Sequence, residues 1–375
     1  MSETDVHKGL VGIYADVSAI SKVMPESNSL TYRGYPVQDL AEHCRFEEVV
    51  YLLWNGELPN RRELAAFEKA ERAERRITPR LRQVIAAFPR RGHPMDAIRT
   101  AVSFMALEDP ETADNSDAAT RRKALRLLAK IPTAVAARHR LGHGLRAIGA
   151  KPNLSFAENF FHMCFGHVPA PEVVKAFDVA LILYAEHTFN ASTFTARTVA
   201  STEADIYAAV TAAIGALKGP LHGGANEAVM HMLKEIGRPE RAHGWIESRL
   251  DHRALVVGFG HRVYKSGDSR VPTMTRYAER MAAVVGDTRW MEISRILAAE
   301  MLARKNIHPN LDFPAGPAFY LMGFEIPMFT PIFVAARLSG WASHIFEQAA
   351  DNRLIRPLSL YCGVAERPVR PIGER

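Results

Sequence analysis

The chain has 375 residues, of which 47% are apolar and 23% charged, and its formal net charge is +6. This composition is typical of a globular protein with one large domain or two unequal ones. It excludes a basic nucleic-acid stripe, and no apolar run approaches the roughly 18 residues of a membrane span.

The N-terminus and the cysteines predict where the protein works. The first ten residues are polar and charged, without the apolar core of an export signal. Cys44, Cys164 and Cys362 lie far apart, which fits neither a zinc or redox motif nor a disulfide framework. We therefore expect a cytoplasmic protein that binds no metal through cysteine.

Strand patterns are confined to the start of the chain. Residues 10–23 and 30–35 alternate in character and predict at most a small β-hairpin. Beyond them, apolar residues recur at three- and four-residue spacing, and proline or glycine marks the junctions. This spacing predicts helices over 47–54, 61–73, 119–131, 171–187, 205–219 and 330–350. The sequence therefore predicts a compact all-α fold.

One internal segment differs from the apolar helices around it. Residues 222–317 are richer in glycine, histidine and charge than their flanks. We expect them to form a small mobile domain, with 1–221 and 318–375 forming a large helical domain. Paired glycine and proline residues predict hinges near Pro220 and between Pro314 and Pro317.

The first histidine pair along the chain lies in the sequence HRLGH. His139 and His143 have the helical spacing of metal ligands, but Gly142 and Gly144 argue against a stable helix. No carboxylate follows as an HExxH motif requires. The sequence favours a surface turn and predicts no metal site.

The next candidate segment is AEHTFNASTFTAR, residues 185–197. His187 and Asn190 are expected to close a long apolar helix beside small hydroxyl residues. A histidine buried at the end of a core helix is the alternative interpretation.

His222 stands among glycines in the stretch KGPLHGGAN. We expect it to open a helix, whose positive N-terminal end would keep the imidazole neutral and able to donate a hydrogen bond. The alternative is a histidine that only caps a turn.

Four basic residues follow within GFGHRVYKSGDSR: His261, Arg262, Lys265 and Arg270. Such a density of donors fits capture of a carboxylate or a phosphate, although a charged surface loop is also possible. The GFG triplet alone is too short for a dinucleotide-binding motif.

Asp312 is the only carboxylate in the apolar, proline- and glycine-bounded stretch HPNLDFPAGPAFYLMG, residues 308–323. Partial burial would raise its pKa and make it a better proton acceptor. The alternative is an aspartate that caps the following helix. Two histidines on glycine-rich turns, one isolated aspartate and several arginines together indicate proton abstraction beside the carbonyl of an anionic substrate.

Several of these motifs occur together in one family. HTFNASTFTAR, GPLHGGANEAV, GFGHRVYK, NLDFPAG and ARLSGWASHIFEQ followed by IRPLSLYCG resemble the citrate synthase family in order and spacing. The resemblance runs from about residue 8 to 365. Within the family, HKGLVGIYADVSAISKV, NSLTYRGYPVQDLA and DNRLIRPLSLY are most similar to the bacterial 2-methylcitrate synthases.

The resemblance implies a two-domain helical fold, a homodimer and an enzyme that condenses oxaloacetate with propionyl-CoA or acetyl-CoA. It implies that His222, His261 and Asp312 are catalytic. It also implies that no cofactor is bound and that the coenzyme A thioester is itself a substrate. Binding residues implied for oxaloacetate are His187, His261, Arg270, Arg337 and Arg356 of the partner subunit. Residues implied around the acyl-CoA are Lys265, Gly258, Phe259 and Gly260, with Asn190 and Phe333 lining the reacting centre.

Two departures from the family pattern bear on the site. Thr188 stands where many relatives have glutamate, and the aspartate motif reads DFPAG instead of DFYSG. Three rival interpretations remain open at this point: a dedicated citrate synthase, an inactive helical scaffold and a histidine-metal hydrolase.

Overall fold

The computed structural model describes residues 6–261, 263–264 and 267–375. A small antiparallel sheet near the start has the strand order β1 (Ser21–Met24), β2 (Ser29–Tyr32) and β3 (Tyr35–Pro36). Ser21 lies opposite Tyr32, which in turn lies opposite Tyr35. The strand expected over 10–23 is therefore wrong for residues 10–20, and a third strand joins the predicted hairpin.

Most of the rest of the described chain is α-helical, which confirms the all-α prediction. The helices are α1 Val37–His43, α2 Phe46–Asn55, α3 Arg61–Glu74, α4 Pro79–Ala87, α5 Pro94–Glu108, α6 Asp117–Gly142, α7 Phe156–Phe165, α8 Pro171–Tyr184, α9 Ala191–Ala200, α10 Ile206–Leu217, α11 Ala225–Ile236, α12 Ala242–Asp251, α13 Val271–Val285, α14 Arg289–Lys305, α15 Asp312–Leu321 and α16 Phe329–Ala350. Short 3-10 turns occupy Lys8–Leu10, Pro239–Arg241, Ile326–Met328 and Ile372–Glu374.

Two local predictions need correction. Helix α8 ends at Tyr184, so His187 lies in a connection and Asn190 is the N-cap of α9, where its side chain accepts from the Thr193 N–H. Helix α6 continues to Gly142, so His139 is helical. Glycine costs a helix about 1 kcal/mol, which the long buried face of α6 outweighs up to that residue.

Helix α16 forms the centre of the large helical layer. Its residues are buried almost throughout, and it packs against α6, α8, α9 and α10. Gly340 allows the closest approach: a Cβ there would lie 2.6 Å from the carbonyl oxygen of Ala185. The absent side chain lets α16 pack directly against the connection that follows α8, one turn after Arg337.

Helices of the segment 222–317 pack on one another. Helix α15 contacts both α11 and α13, α14 contacts α12, and α13 also lies against α8. Helix α15 is continuous through residue 317, so the expected domain boundary at 317 falls inside a helix. The division into two domains stays a prediction.

Within the described residues no single helix is both long and apolar enough to cross a membrane. One pair, α15 with Ile326–Ala350, meets that test together by length and composition, and its halves are bent by 119°. After α16, residues 351–375 run without a further α-helix and are almost entirely exposed.

Candidate active site

Two buried arginines lie beside the end of α8, and only one of them is neutralised. Arg270 makes a two-pronged pair with Asp268, with Nε 2.9 Å from Oδ1 and Nη2 2.7 Å from Oδ2. Arg337 donates from Nε to the carbonyl oxygen of Tyr184 at 2.7 Å, and its guanidinium lies 4.7 Å from the centre of the Phe333 ring. No carboxylate of the described residues lies within ion-pair distance of Arg337.

Burial lowers the pKa of Arg337 to about 10, so its side chain remains cationic at neutral pH. A buried cation without a partner is costly, and an anion bound beside it would remove that cost. The site is therefore suited to bind an anionic ligand.

His187 adds an unpaired polar atom to the same place. Its side chain is buried and its Nε2 has no hydrogen-bond partner among the described residues. The ring centre lies 4.9 Å from that of His261. Burial, then Arg270, His261 and Arg337, hold its pKa well below the usual range, so the ring is neutral. Since buried polar atoms are normally paired, the free nitrogen indicates a missing ligand.

His222 precedes α11 by three residues, and main-chain geometry fixes its tautomer. The N–H of Ser192 donates to His222 Nε2 at 3.2 Å, and the Ser192 hydroxyl lies 2.8 Å from the same nitrogen. A main-chain N–H can only donate, so Nε2 accepts and the neutral ring carries its proton on Nδ1. Burial and then Arg337 lower the His222 pKa to about 3. The predicted neutrality holds, with burial rather than the helix dipole as its first cause.

His261 is held in the opposite tautomer. Its Nδ1 accepts from the N–H groups of Val263 at 3.0 Å and Tyr264 at 3.2 Å. The proton of the neutral ring therefore lies on Nε2. Burial and then Arg270 lower its pKa to about 4, although Asp268 acts in the other direction.

Asp312 is the first residue of α15 and receives a hydrogen bond from the hydroxyl of Tyr184, with Oη 2.6 Å from Oδ1. Burial raises its pKa to about 6, against the opposing effects of Tyr184 and Arg270. It is thus ionised at neutral pH, yet more basic than an ordinary aspartate. The alternative of a simple helix cap does not account for the tyrosine contact.

The predicted GFG turn is fastened to the stretch before Asp312. The Gly260 N–H donates to the carbonyl oxygen of His308 at 2.8 Å, and the Asn310 N–H donates to that of Gly258 at 2.9 Å. Both glycines have positive φ, at 83° and 79°, which favours glycine there. The Phe259 ring packs 4.5 Å from that of Phe313. Lys265, expected near coenzyme A, lies outside the described residues.

Aromatic and polar side chains pack around His222. Phe333 lies 4.2 Å from the ring of Tyr184 and 6.3 Å from that of His222, centre to centre. The amide oxygen of Asn190 lies 2.8 Å from the Ser192 hydroxyl, whose single proton is shared between this oxygen and His222 Nε2. Asn190 therefore acts on His222 through Ser192.

Arg356, which was expected to bind oxaloacetate from the partner subunit, does not reach the site of its own chain. Arg356 is exposed in the C-terminal segment, which is tethered where the Ile355 N–H donates to the Ser201 hydroxyl at 3.0 Å. No hydrogen bond or ion pair in the described chain joins Arg356 to the side chains above.

Sequence analysis missed three positioning residues: Tyr184, Ser192 and Asp268. Tyr184 closes an apolar helix and reads as core, while Ser192 is one hydroxyl residue among several. Only Asp268 carried a signal, because it stands two residues before Arg270 in a loop otherwise rich in cations.

Comparisons with known proteins identify the family of the chain. The family model described as citrate synthase, C-terminal domain, matches residues 9–358. A 2-methylcitrate synthase of Mycobacterium tuberculosis is 57% identical over 363 residues, covering 97% of this chain and 92% of that protein. A citrate synthase of Mycolicibacterium smegmatis is 56% identical over 362 residues, covering 96% of each.

A solved structure shares the whole fold. The citrate synthase of Thermoplasma acidophilum has been solved as a ternary complex with carboxymethyl coenzyme A and oxaloacetate. It superposes with a TM-score of 0.93 at 31% identity, covering 99% of this chain and 100% of that one. With its full-length match and its conserved architecture, the chain belongs to the citrate synthase family.

Proposed function

We propose that the protein condenses oxaloacetate with propionyl-CoA and water to give 2-methylcitrate and free coenzyme A. The observation that carries the proposal is the pair of neutral imidazoles in opposite tautomers, His222 and His261, beside the raised-pKa carboxylate of Asp312. Membership of the family supports the reaction class, and this pair supports the roles of the residues.

Oxaloacetate is assigned to the cationic half of the site. Arg337, cationic and without a carboxylate partner in the described chain, would bind one carboxylate, and Arg270 would contribute its remaining N–H donors. The unpaired His187 Nε2 would gain the hydrogen bond it lacks. Arg356 of the partner subunit would complete the set in a homodimer.

Asp312 would remove the α-proton of the acyl-CoA. If that carbon acid has a pKa of roughly 20, an aspartate near 6 faces a gap of about 14 units, or about 19 kcal/mol. The Nδ1–H of His222 would donate to the thioester oxygen as negative charge develops there. Such a preorganised donor in a dry site supplies the missing stabilisation.

The enol carbon would then attack the ketone carbon of oxaloacetate. The Nε2–H of His261 would donate to the oxygen of that ketone as it becomes an alkoxide. Water finally cleaves the thioester, which releases coenzyme A as the thiol and leaves the new carboxylate. The coenzyme is expected to lie along Gly258, Phe259, Gly260 and Lys265.

Binding of oxaloacetate is proposed to come first and to close the segment 222–317 over the cleft. An enol formed without its partner would be wasted, so closure assembles the catalysts only when both substrates are present. Solution scattering of the protein with and without oxaloacetate tests this, and identical profiles would count against closure.

A shared site in a cytoplasmic homodimer is also proposed. Subunits carrying Arg356→Ala should regain activity in one of the two sites when they are mixed and reassembled with subunits carrying Asp312→Asn. Absence of any recovery, with dimers formed in both cases, would contradict the exchange of Arg356.

A citrate synthase that prefers acetyl-CoA is the second candidate, because relatives of both names are 57% and 56% identical. One methylene in an apolar pocket is worth only about 1–3 kcal/mol. The deciding experiment measures thiol release with each acyl-CoA. A higher kcat/KM with propionyl-CoA supports the proposal, whereas a higher value with acetyl-CoA favours citrate formation. No release with either would revive the scaffold interpretation, and activity after thorough chelation would exclude a metal hydrolase.

A further inference from the structure

Two histidines and a glutamate meet at the C-terminal end of α6. His139 lies in its last turn, His143 follows it, and Glu325 comes from the turn between α15 and α16. One ligand atom from each residue lies within 4.8 Å of the others. The carboxylate missing from the HRLGH sequence is therefore supplied from 182 residues further along the chain, counted from His143 to Glu325.

The hydrogen bonds of His143 leave one nitrogen in an unusual position. Its Nδ1 lies 2.8 Å from the carbonyl oxygen of His139, and a carbonyl can only accept, so Nδ1 donates. In the neutral ring Nε2 then carries a lone pair, yet it lies 3.0 Å from Glu325 Oε1. Two acceptors this close repel each other unless a proton or a cation lies between them.

The outer contact of His143 is the one that metal ligands commonly have. A ligating imidazole usually donates its other N–H to a carbonyl or carboxylate, which fixes the tautomer and orients the ring. Here a main-chain carbonyl one helical turn earlier does so. The His139 and His143 rings lie 4.9 Å apart, centre to centre.

The site is accessible to solvent, and Arg140 bonds other groups than Glu325. The His143 and Glu325 side chains are 47% and 53% exposed, so an ion could enter and keep a bound water. Arg140, the nearest cation on α6, instead donates to the carbonyl oxygens of Arg146 at 2.6 Å and Cys164 at 3.1 Å. Two imidazoles with one carboxylate suit Zn²⁺, Ni²⁺ or Cu²⁺ better than the oxygen-seeking Mg²⁺ or Ca²⁺.

We propose that His139, His143 and Glu325 bind one divalent ion of the Zn²⁺ class, which joins the end of α6 to the turn between α15 and α16. The ion would serve as a clamp between these elements. It takes no part in the condensation, so this site and the reaction stand or fall separately.

The test is calorimetric titration of the untagged, chelator-treated full-length protein with ZnCl₂ near pH 7. Wild type should show one site more than His139→Gln or His143→Gln, or a site that these variants weaken by about tenfold or more. The matched control is His243→Gln, which removes an exposed imidazole 3.1 Å from Glu300. Among the described residues, this pair is not part of a group of three possible metal ligands.

Cu²⁺ electron paramagnetic resonance provides a second readout that counts ligands. Wild type should show coupling to two nitrogens at this site, and each histidine variant should show one. Zn²⁺ titrations that are the same for wild type and both histidine variants would overturn the proposal, as would an equal loss of binding in His243→Gln. Thermal unfolding without metal shows whether each variant is folded.

Discussion

The turn that carries His222 and the loop that carries His261 each fix one tautomer of a neutral histidine, but by different contacts. Both rings are neutral and both have one nitrogen occupied by main-chain N–H groups. His222 depends on Ser192, which lies 30 residues away at the start of α9. His261 depends on Val263 and Tyr264, its immediate neighbours.

This difference separates tertiary from local control of a tautomer. His222 keeps its Nδ1–H only while α9 and the turn before α11 stay packed together. His261 keeps its Nε2–H through the shape of its own loop, so the loop can move as a unit without losing the tautomer. His222 thus belongs to the packed interior of the site, and His261 to the segment that we propose to move.

The largest effect is expected from a substitution of the proposed base, Asp312. Asp312→Asn should lower kcat by about 10³- to 10⁴-fold, because the amide cannot accept the α-proton. Thiol release with oxaloacetate and propionyl-CoA measures it. A loss of less than tenfold would place the base elsewhere.

The same variant has an opposite effect on stability. The pKa of Asp312 is raised from 3.8 to about 6 in the folded chain. The folded state therefore binds more protons than the unfolded state in that range, and stability falls as pH rises from about 4 to 6, by up to about 3 kcal/mol. Asp312→Asn removes this cost, so at pH 7 its thermal midpoint should equal or exceed that of wild type.

Alanine substitutions of His222 and His261 test whether the two donors act in different steps. His222→Ala and His261→Ala should each lower kcat by about 10²- to 10³-fold, because each removes one donor to a developing oxyanion. They should differ in exchange of the propionyl α-hydrogens with D₂O in the presence of oxaloacetate. His222→Ala should abolish exchange, while His261→Ala should retain it and block only carbon–carbon bond formation.

The exposed His252 offers a control, since its Nδ1 contacts only the carbonyl oxygen of Ser248 in its own helix. His252→Ala should leave both exchange and turnover unchanged. Loss of exchange in His261→Ala to the same degree as in His222→Ala would show that the two donors act in a single step.

A smaller effect is expected from Tyr184→Phe, which removes the hydrogen bond to Asp312. That bond lowers the aspartate pKa, so without it the pKa should rise above 6. In wild type kcat/KM should fall as pH drops below about 6, because protonated Asp312 cannot act as a base. In the variant this limb should move up by about one pH unit, with the high-pH plateau within about tenfold of wild type.

Tyr207 on α10 supplies the matched control, because its hydroxyl also donates a hydrogen bond to an aspartate, Asp109, at the end of α5. Tyr207→Phe should leave the acid limb in place. An unmoved limb in Tyr184→Phe would show that the tyrosine only packs against Phe333.

The smallest effect concerns Ser192. Ser192→Ala keeps the main-chain N–H that fixes His222 and removes only the hydroxyl, which also accepts from Trp341. Turnover should fall by only about two- to fivefold, the value of one modest hydrogen bond. A loss as large as that of His222→Ala would mean that the hydroxyl sets the tautomer.

Periodicity in the sequence predicted α2, α3, α6, α8, α10 and α16, although the predicted ranges ended α6 at 131 and extended α8 to 187. The helices α5, α13 and α14, of 15 to 17 residues, were not among the predicted ranges. The glycine-rich segments also singled out His222, His261 and Asp312, whose roles in one site stay a prediction. Their common feature is a local one, since an unusual residue in an unusual setting is visible in one line of sequence.

Contacts between distant segments could not be predicted in the same way. Ser192 becomes important only when α9 meets the turn before α11, and Glu325 only when the end of α15 reaches α6. The burial that lowers the His222 pKa likewise comes from neighbours far along the chain. From the sequence, we attributed the neutrality of His222 to the helix dipole, which is a local cause.

The fastening between Gly258, Gly260 and the stretch before Asp312 has a consequence for timing. Because His308 and Asn310 hold the glycine turn by main-chain hydrogen bonds, the segment bearing His261 and the residue bearing the base are mechanically one piece. In the proposed mechanism, a displacement that withdraws the alkoxide donor His261 would also withdraw the base Asp312. The acyl-CoA carbanion would then form only while the ketone of oxaloacetate is activated.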